Sequence, residues 1–139
     1  MAEEKKIGAI KEELQAAEDS MLPDFIARYE KDERSGVKSL VEKAGKRIQK
    51  LEAEYARIEN LKKYEKEYAD AGYICGIDEV GRGPLAGPVV AGAVILPKDC
   101  DILYINDSKK LSASMREKLY DEIMEKAVAT GIGMAGPGR

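Results

Sequence analysis

The chain has 139 residues, of which 23 are Lys or Arg, 26 are Asp or Glu and none is His. This length allows one compact domain, or a small domain with a helical appendage, and the formal charge of −3 argues against a broadly basic protein that coats nucleic acid. The absence of His excludes a Ser-His-Asp triad and a His-ligated zinc site, and the two cysteines cannot form a four-ligand zinc site. Carboxylates, hydroxyls, backbone amides, Lys and Arg remain, and oxygen ligands of this kind suit hard cations such as magnesium or manganese.

Targeting signals are also absent from the sequence. No apolar run approaches the roughly 20 residues that a membrane-spanning helix needs. The first residues lack the basic start and the apolar stretch of a secretory signal, and the low cysteine content suits a reducing compartment. We therefore expect a cytoplasmic protein without membrane contact.

The first predicted elements are helices, in a charged region of residues 1–72 with 15 basic and 17 acidic residues. A first helix is indicated by apolar residues at helical spacing, namely Ile7, Ile10 and Leu14. Pro23 suits the first turn of a second, short helix. A long helix is predicted from near Ser35, and Gly72 is a suitable stop for the helical region.

The long helix has an apolar seam whose steps alternate three and four residues between Val41 and Ile58, as in a coiled coil. Three interpretations are open. The helix packs on its own neighbours, or the seam forms a dimer, or its basic face contacts a nucleic-acid backbone. The basic residues concerned are Lys43, Lys46, Arg47 and Lys50.

The remaining elements are two strands, a helix and a third strand, in a glycine-rich region of residues 73–139. Apolar runs at 73–78 and 89–96 predict strands buried in a sheet, the second covered on both faces. A helix is expected to start near Ser112, where Ser114 and Glu117 have the spacing of a capping box. Residues 131–134 indicate a further strand.

Two adjacent carboxylates, Asp78 and Glu79, lie where the first strand is expected to end. A divalent cation would compensate for carboxylates at an apolar strand end, and two-metal phosphoryl-transfer sites use such oxygen ligands. Neighbouring strand residues point to opposite faces, so both carboxylates reach one site only if the strand ends or bulges, which Gly81 allows. The alternative is a solvated pair at an ordinary turn.

Glycines surround Arg82 in the segment 81–84, Gly-Arg-Gly-Pro. Glycines at 81 and 83 allow backbone amides to approach a ligand closely, and Arg82 can pair with phosphate. A backbone that close to a sugar can test for the 2′-hydroxyl that separates RNA from DNA. A plain β-turn is the alternative. A dinucleotide-binding loop is disfavoured, because the glycine spacing is irregular and the following residues predict a strand instead of a helix.

A second candidate segment is Asp-Ser-Lys-Lys at residues 107–110. Ser108 and Lys109 are suited to bind a backbone phosphate, and Asp107 could assist a metal or make the turn. The alternative is simple helix-entry chemistry, which Asp and Ser favour.

These motifs resemble the ribonuclease HII family. The resemblance lies in Gly-Ile-Asp-Glu-Val-Gly-Arg-Gly-Pro-Leu-Ala-Gly-Pro-Val-Val at 76–90 and Asp-Ser-Lys-Lys-Leu-Ser at 107–112. Residues 1–72 more weakly resemble the helical extension of one bacterial branch of that family. The resemblance implies an α/β, ribonuclease H-like mixed sheet with flanking helices, incomplete in this chain, after an α-helical N-terminal extension. It places the extension at 1–72 and the N-terminal part of the catalytic domain at 73–139.

The resemblance also implies an endonuclease, dependent on Mn²⁺ or Mg²⁺, that cleaves RNA in RNA–DNA hybrids and incises at ribonucleotides embedded in duplex DNA. It matches Asp78 and Glu79 to the first two metal-binding carboxylates, and Gly81, Arg82 and Gly83 to the element that recognises the 2′-hydroxyl. Ser108 and Lys109 match a loop near the substrate backbone.

Two further aspartates and a substrate-reading tyrosine of the family are expected beyond Arg139. We therefore expect an N-terminal fragment with little or no activity alone. We also expect a monomer. A non-catalytic helical module that binds a protein or nucleic acid is the alternative.

Overall fold

The computed structural model describes residues 5–80 and 87–137. Its helices are α1 (Ile7–Ala16), α2 (Leu22–Tyr29), α3 (Ser35–Leu61), α4 (Lys63–Glu67) and α5 (Ala113–Lys126), and its strands are β1 (Cys75–Val80), β2 (Val89–Ile95) and β3 (Ala129–Ala135). This content confirms the predicted α/β class. The chain forms two compact units that divide between Ala56 and Arg57. Across the described ranges, no helix is both long and apolar enough to cross a membrane.

The first unit is helical and has its own apolar core. The core combines one face of each of α1, α2 and α3, and its buried members are Ile10, Leu14, Leu22, Phe25, Val37, Leu40 and Ala44. Burying each large aliphatic side chain contributes about 1.5–3 kcal/mol relative to leaving it in water. Val41 and Ile48, which belong to the predicted seam, pack against this core. The seam therefore serves packing within the unit, which favours the first of the three interpretations of α3.

Gly36 leaves room for the Ile7 side chain where α3 begins. A Cβ atom at this position would lie 3.0 Å from Cδ1 of Ile7, closer than side chains normally approach. The lack of a side chain at 36 therefore lets the end of the Ile7 side chain pack at the start of α3 without having to shift.

Arg47 also joins α3 to α1. Its guanidinium donates hydrogen bonds to the carbonyl oxygens of Leu14 (3.4 Å) and Ala17 (3.1 Å), at the C-terminal end of α1. It also pairs with Asp19 at 2.6 Å. Carbonyl groups at the end of a helix have no partner within the helix, so Arg47 supplies one. These contacts occupy the Arg47 side chain within the unit, which weakens the interpretation that it binds a nucleic-acid backbone.

The helical region is less continuous near residue 72 than the sequence predicts. The long helix ends at Leu61, and the short helix α4 and a 3₁₀ turn at Ala69–Ala71 follow. Gly72 then has a φ of 93°, a conformation that side chains disfavour, and it leads the chain toward β1.

The second unit contains the end of α3, α4, the sheet and α5. Its buried residues are Ile58, Lys62, Ile102 and Leu119. Arg57 donates a hydrogen bond to the carbonyl oxygen of Ile105 at 2.7 Å, and Lys98 donates one to that of Ala69 at 2.9 Å. These two bonds connect the helical segments to the chain that follows β2.

The sheet has the strand order β1-β2-β3, and both described pairings are antiparallel. The predicted strands are present, with β1 shifted two residues along the chain and β3 longer than expected. The prediction that these strands are buried is wrong for the described residues. Every position of β1 and β3 is exposed, and β2 is at best half-buried. The apolar runs therefore form a sheet whose faces remain largely open.

The N-terminus of α5 differs in one detail from the prediction. Ser112 is the cap, because its Oγ accepts a hydrogen bond from the backbone N–H of Met115 at 3.2 Å. The predicted capping box of Ser114 and Glu117 is wrong, since Ser114 lies inside the first turn.

Candidate functional site

The register of the β1–β2 pair determines where the two carboxylates point. Asp78 lies opposite Gly92, and Glu79 lies opposite Ala91. Residues directly opposite each other in an antiparallel pair share a face, and successive residues alternate. Asp78 and Glu79 are therefore on opposite faces. The strand continues in register to Val80, which pairs with Val90, so β1 does not end at the carboxylates as the sequence suggested.

The face that carries Asp78 combines a carboxylate with an apolar surface. Val80, Ile132 and Met134 share this face and are 67%, 78% and 71% exposed. Gly92, directly beside Asp78, has no neighbouring atom within 4 Å of the place where a Cβ would stand. The Asp78 carboxylate is consequently accessible from above the middle of the sheet.

The opposite face carries Glu79 and is lined mainly by small residues. Ala91 and Gly133 occupy the neighbouring positions on β2 and β3. The backbone N–H of Glu79 donates a hydrogen bond to Oδ1 of Asp78 at 2.8 Å. One carboxylate oxygen of Asp78 thus turns toward the following peptide, and the other oxygen is available to a ligand.

The donor chemistry at Asp78 fits a hard divalent cation, since a carboxylate oxygen and open space are both present. Within residues 5–80 and 87–137, however, no three Asp, Glu or Cys side chains cluster as a metal site. Asp78 therefore fits a single ion held by few protein ligands. Glu79 would have to reach the same ion from the other face.

Gly81, Arg82 and Gly83, the predicted 2′-hydroxyl-reading element, lie outside the described residues. Their assignment stays a prediction.

The second candidate segment forms a single 3₁₀ turn, Ser108–Lys110, that leads into α5. Oδ1 of Asp107 accepts a hydrogen bond from the backbone N–H of Lys109 at 3.0 Å, so Asp107 makes the turn. The side chains of Ser108 and Lys109 are exposed, as binding to a phosphate requires. In the described part of the chain, neither side chain is hydrogen-bonded to Asp78.

Arg116 is a polar partner of this loop that the sequence did not reveal. Its Nη1 donates hydrogen bonds to the carbonyl oxygens of Leu111 (2.7 Å) and Ser108 (3.3 Å). Its only sequence signal is its place one helical turn after the capping Ser112.

A cavity of about 340 Å³ lies elsewhere in the second unit. Its walls include Tyr73, Gly76, Val94, Leu96 and Ile123, with lysine side chains at 62, 66 and 98. Asp78, Glu79, Ser108 and Lys109 are not among the residues that line it.

Comparison with known proteins connects both units to one family. The profile of the Ribonuclease HII N-terminal domain matches residues 6–69, and that of Ribonuclease HII matches residues 75–135. The chain is 58% identical to ribonuclease HII of Lachnoclostridium phytofermentans, over 96% of this chain and 53% of the relative. It is 49% identical to the Enterococcus faecalis protein of the same name, over 99% and 54% of the two chains.

The Bacillus subtilis ribonuclease HII is 50% identical over 90% of this chain and 49% of that protein. The chain thus spans about half the length of the curated relatives it matches. Among solved structures, the ribonuclease H2 of Pyrococcus horikoshii OT3 matches with 28% identity and a TM-score of 0.37, over 45% of this chain and 32% of that one. Because the two family profiles together cover nearly all of the sequence and the relatives match along its length, the chain belongs to the ribonuclease HII family.

Proposed function

We propose that this chain carries the first part of the active site of a ribonuclease H-type endonuclease. The proposed reaction is metal-dependent hydrolysis of the RNA strand of RNA–DNA hybrids and incision at ribonucleotides in duplex DNA. Mn²⁺ or Mg²⁺ is the proposed cofactor. The observation that carries the proposal is the accessible carboxylate of Asp78 beside Gly92, in a segment that the ribonuclease HII profile matches.

The proposed roles follow the chemistry of each residue. Asp78 and Glu79 would hold the metal through carboxylate oxygens. Gly81, Arg82 and Gly83 would read the ribose 2′-hydroxyl, and Ser108 and Lys109 would bind a backbone phosphate. The proposed mechanism uses two metal ions. When bound, one would activate the attacking water and the other would stabilise the leaving oxygen.

The side chains of this chain would do the positioning. The exposed hydroxyl of Ser108 and the ammonium of Lys109 would fix the register of the duplex. Asp107 would contribute through the turn, because Oδ1 of its carboxylate holds the backbone N–H of Lys109.

We further propose that the 139-residue chain has weak activity or none by itself. Two carboxylates on opposite faces, without a third acidic partner among the described residues, support weak metal binding. The division into a helical extension over 1–72 and a catalytic part from 73 remains part of this proposal. A monomer in the cytoplasm is also proposed, on the sequence alone.

The test is a binding and cleavage assay on a DNA duplex that contains one ribonucleotide, with and without manganese. We expect manganese to strengthen duplex binding and Asp78→Asn to abolish that increase. Asp121→Asn, an exposed carboxylate on α5, is the matched control and should behave as wild type. Duplex binding that changes neither with manganese nor with Asp78→Asn would refute the assignment of Asp78 to the metal site. Rapid cleavage by the 139-residue chain, lost in Asp78→Asn, would refute only its predicted weak activity.

A further inference from the structure

The loop that carries Ser108 and Lys109 is attached to the first turn of α5 by one guanidinium group. Nη1 of Arg116 donates to the carbonyl oxygen of Leu111 at 2.7 Å and to that of Ser108 at 3.3 Å. Ser108 is the first residue of the 3₁₀ turn, and Leu111 directly follows its last residue. One side chain therefore ties both ends of the exposed turn to a helix.

The position of Arg116 is itself fixed by the helix. Its backbone N–H donates to the carbonyl oxygen of Ser112 at 2.9 Å, which is the first turn of α5. The Ser112 side chain caps the same turn. The guanidinium that contacts the loop thus belongs to a residue whose backbone is held in the first turn of α5.

Among the described residues, the other hydrogen bonds of the turn are internal to it, including the one from the backbone N–H of Lys109 to Oδ1 of Asp107. The backbone N–H of Lys110 donates to the carbonyl oxygen of Asp107 at 2.9 Å, and that of Leu111 donates to the carbonyl oxygen of Ser108 at 3.3 Å. Exposed bonds of this kind each contribute only about 0.5–1.5 kcal/mol, so a loop held by them alone opens often. A charged donor to carbonyl oxygens makes a stronger bond than a neutral one.

We propose that Arg116 is a positioning residue, which holds residues 108–111 so that the Ser108 hydroxyl and the Lys109 ammonium meet a substrate phosphate together. This inference rests on the proposed function for the substrate contact, and on the structure alone for the anchoring. Arg116 acts through the loop, because Nη1 donates to two main-chain oxygens. Removal of the Arg116 side chain should therefore act mainly by making the loop less ordered, and less by removing a positive charge near the duplex.

The anchoring is tested by amide hydrogen exchange, followed by NMR on the 139-residue chain. Arg116→Ala should speed exchange at the Lys110 and Leu111 amides about three- to tenfold, as expected for the loss of an exposed, charged hydrogen bond. Arg116→Lys, which keeps a cationic donor, should restore part of the protection. Lys118→Ala removes a neighbouring charge on α5 and should change nothing. Unchanged exchange in Arg116→Ala would overturn the proposal.

The functional consequence is tested by a double-mutant cycle on duplex binding. Arg116→Ala should weaken binding to the ribonucleotide-containing duplex about three- to tenfold when Lys109 is present. In a background that carries both Ser108→Ala and Lys109→Ala, the same substitution should have little further effect, because Arg116 acts through these two side chains. Additive losses would overturn the proposed route through Ser108 and Lys109 and indicate that Arg116 binds phosphate directly.

The two measurements separate this inference from the proposed function. Faster exchange in Arg116→Ala, together with a wild-type chain that does not bind the duplex, would refute the proposed function. The proposed role of Arg116 in positioning the substrate contact would then be refuted as well, whereas its role in anchoring the loop would be supported.

Discussion

Lys62, directly after the end of α3, donates a hydrogen bond to the carboxylate of Asp101 in the chain that follows β2. The Lys62 side chain is only 11% exposed, while that of Asp101 is 41% exposed. Glu59 lies 3.6 Å from the same ammonium, and Lys126 donates to the backbone oxygen of Asp101 at 3.2 Å. The hydrogen bond to Asp101 raises the pKa of Lys62 above its ordinary value of 10.5. The pair therefore links the end of the helical region to the rest of the second unit.

Asp101→Ala should destabilise the protein more than Lys62→Met. The first change leaves a nearly buried ammonium without its main partner, whereas the second leaves only a half-exposed carboxylate in water. We expect about 1 kcal/mol for Asp101→Ala, since the exposed partner weakens the bond by solvent screening. Urea denaturation measures both changes, with Lys63→Met as an exposed neighbouring control. A larger loss in Lys62→Met would contradict the burial argument.

The contribution of Lys62 should also depend on pH in a defined direction. A group whose pKa is higher in the folded state contributes its stability below the ordinary pKa and loses it as the pH rises through the folded value. The difference in stability between wild type and Lys62→Met should thus be constant at neutral pH and shrink only above about pH 10.5.

Gly92→Ala should leave the fold intact and weaken metal binding. The new Cβ would meet no atom within 4 Å, and replacing a strand glycine restrains the unfolded chain. The methyl group would stand directly beside Asp78, roughly 5 Å from its Cβ. We expect about tenfold weaker manganese binding, the scale of changes next to metal ligands, as measured by calorimetry.

The matched control for Gly92→Ala is Gly131→Ala. Gly131 has equally open space but lies on the face opposite Asp78, where it pairs with Ala93. Equal losses of manganese affinity in both variants would argue against binding on the Asp78 face.

Ser112→Ala should destabilise α5, because its Oγ satisfies the Met115 N–H at the start of the helix. Loss of an N-cap of this type costs about 1 kcal/mol. Ser114→Ala should cost much less, since the hydrogen bond recorded for its Oγ within the described ranges is to the Ser112 hydroxyl, at 3.3 Å. Thermal unfolding followed by circular dichroism compares the two, and a reversed order would rule out Ser112 as the cap.

Arg34→Gln should raise the pKa of Asp32. Nε and Nη2 of Arg34 donate to this carboxylate at 2.9 and 2.5 Å, and these bonds lower the pKa of Asp32 from 3.8 to about 2. The stabilising effect is present above the ordinary pKa and is lost as the pH falls through about 2. Carbon NMR of the carboxyl group should show titration at a higher pH in the variant, while the backbone N–H of residue 34, which donates to Oδ1 of Asp32 at 3.0 Å, still lowers the pKa in part. Arg28→Gln, which alters the separate pair with Glu13, should leave Asp32 unchanged.

Much of the local structure follows from sequence patterns that act over short distances. The spacing of Ile10 and Leu14 predicted α1, and both side chains are buried in the core of the first unit. Pro23 lies in the first turn of α2, as its fixed φ favours. Such patterns indicate which face of a helix is apolar. The helices of the first unit are predicted well, because their apolar faces pack against one another within that unit.

Features that depend on distant pairing were harder to predict. The faces of Asp78 and Glu79 depend on which residues of β2 lie opposite, and the apolar run at 89–96 does not specify that alignment. The apolar character of β2 also predicted cover on both faces, yet its residues remain partly exposed. Arg116 contacts a carbonyl eight residues away, and its sequence context resembles that of any helical arginine.

The alignment of β1 with β2 has a consequence for how this site could be lost. A slip of one residue between the strands would exchange the faces of the two carboxylates, and Glu79 would then share the open face with Ile132. A change within either strand that caused such a slip would therefore remove Asp78 from the open face while every acidic residue is retained. The proposed metal site thus depends on the pairing of β1 with β2 as well as on the carboxylates themselves.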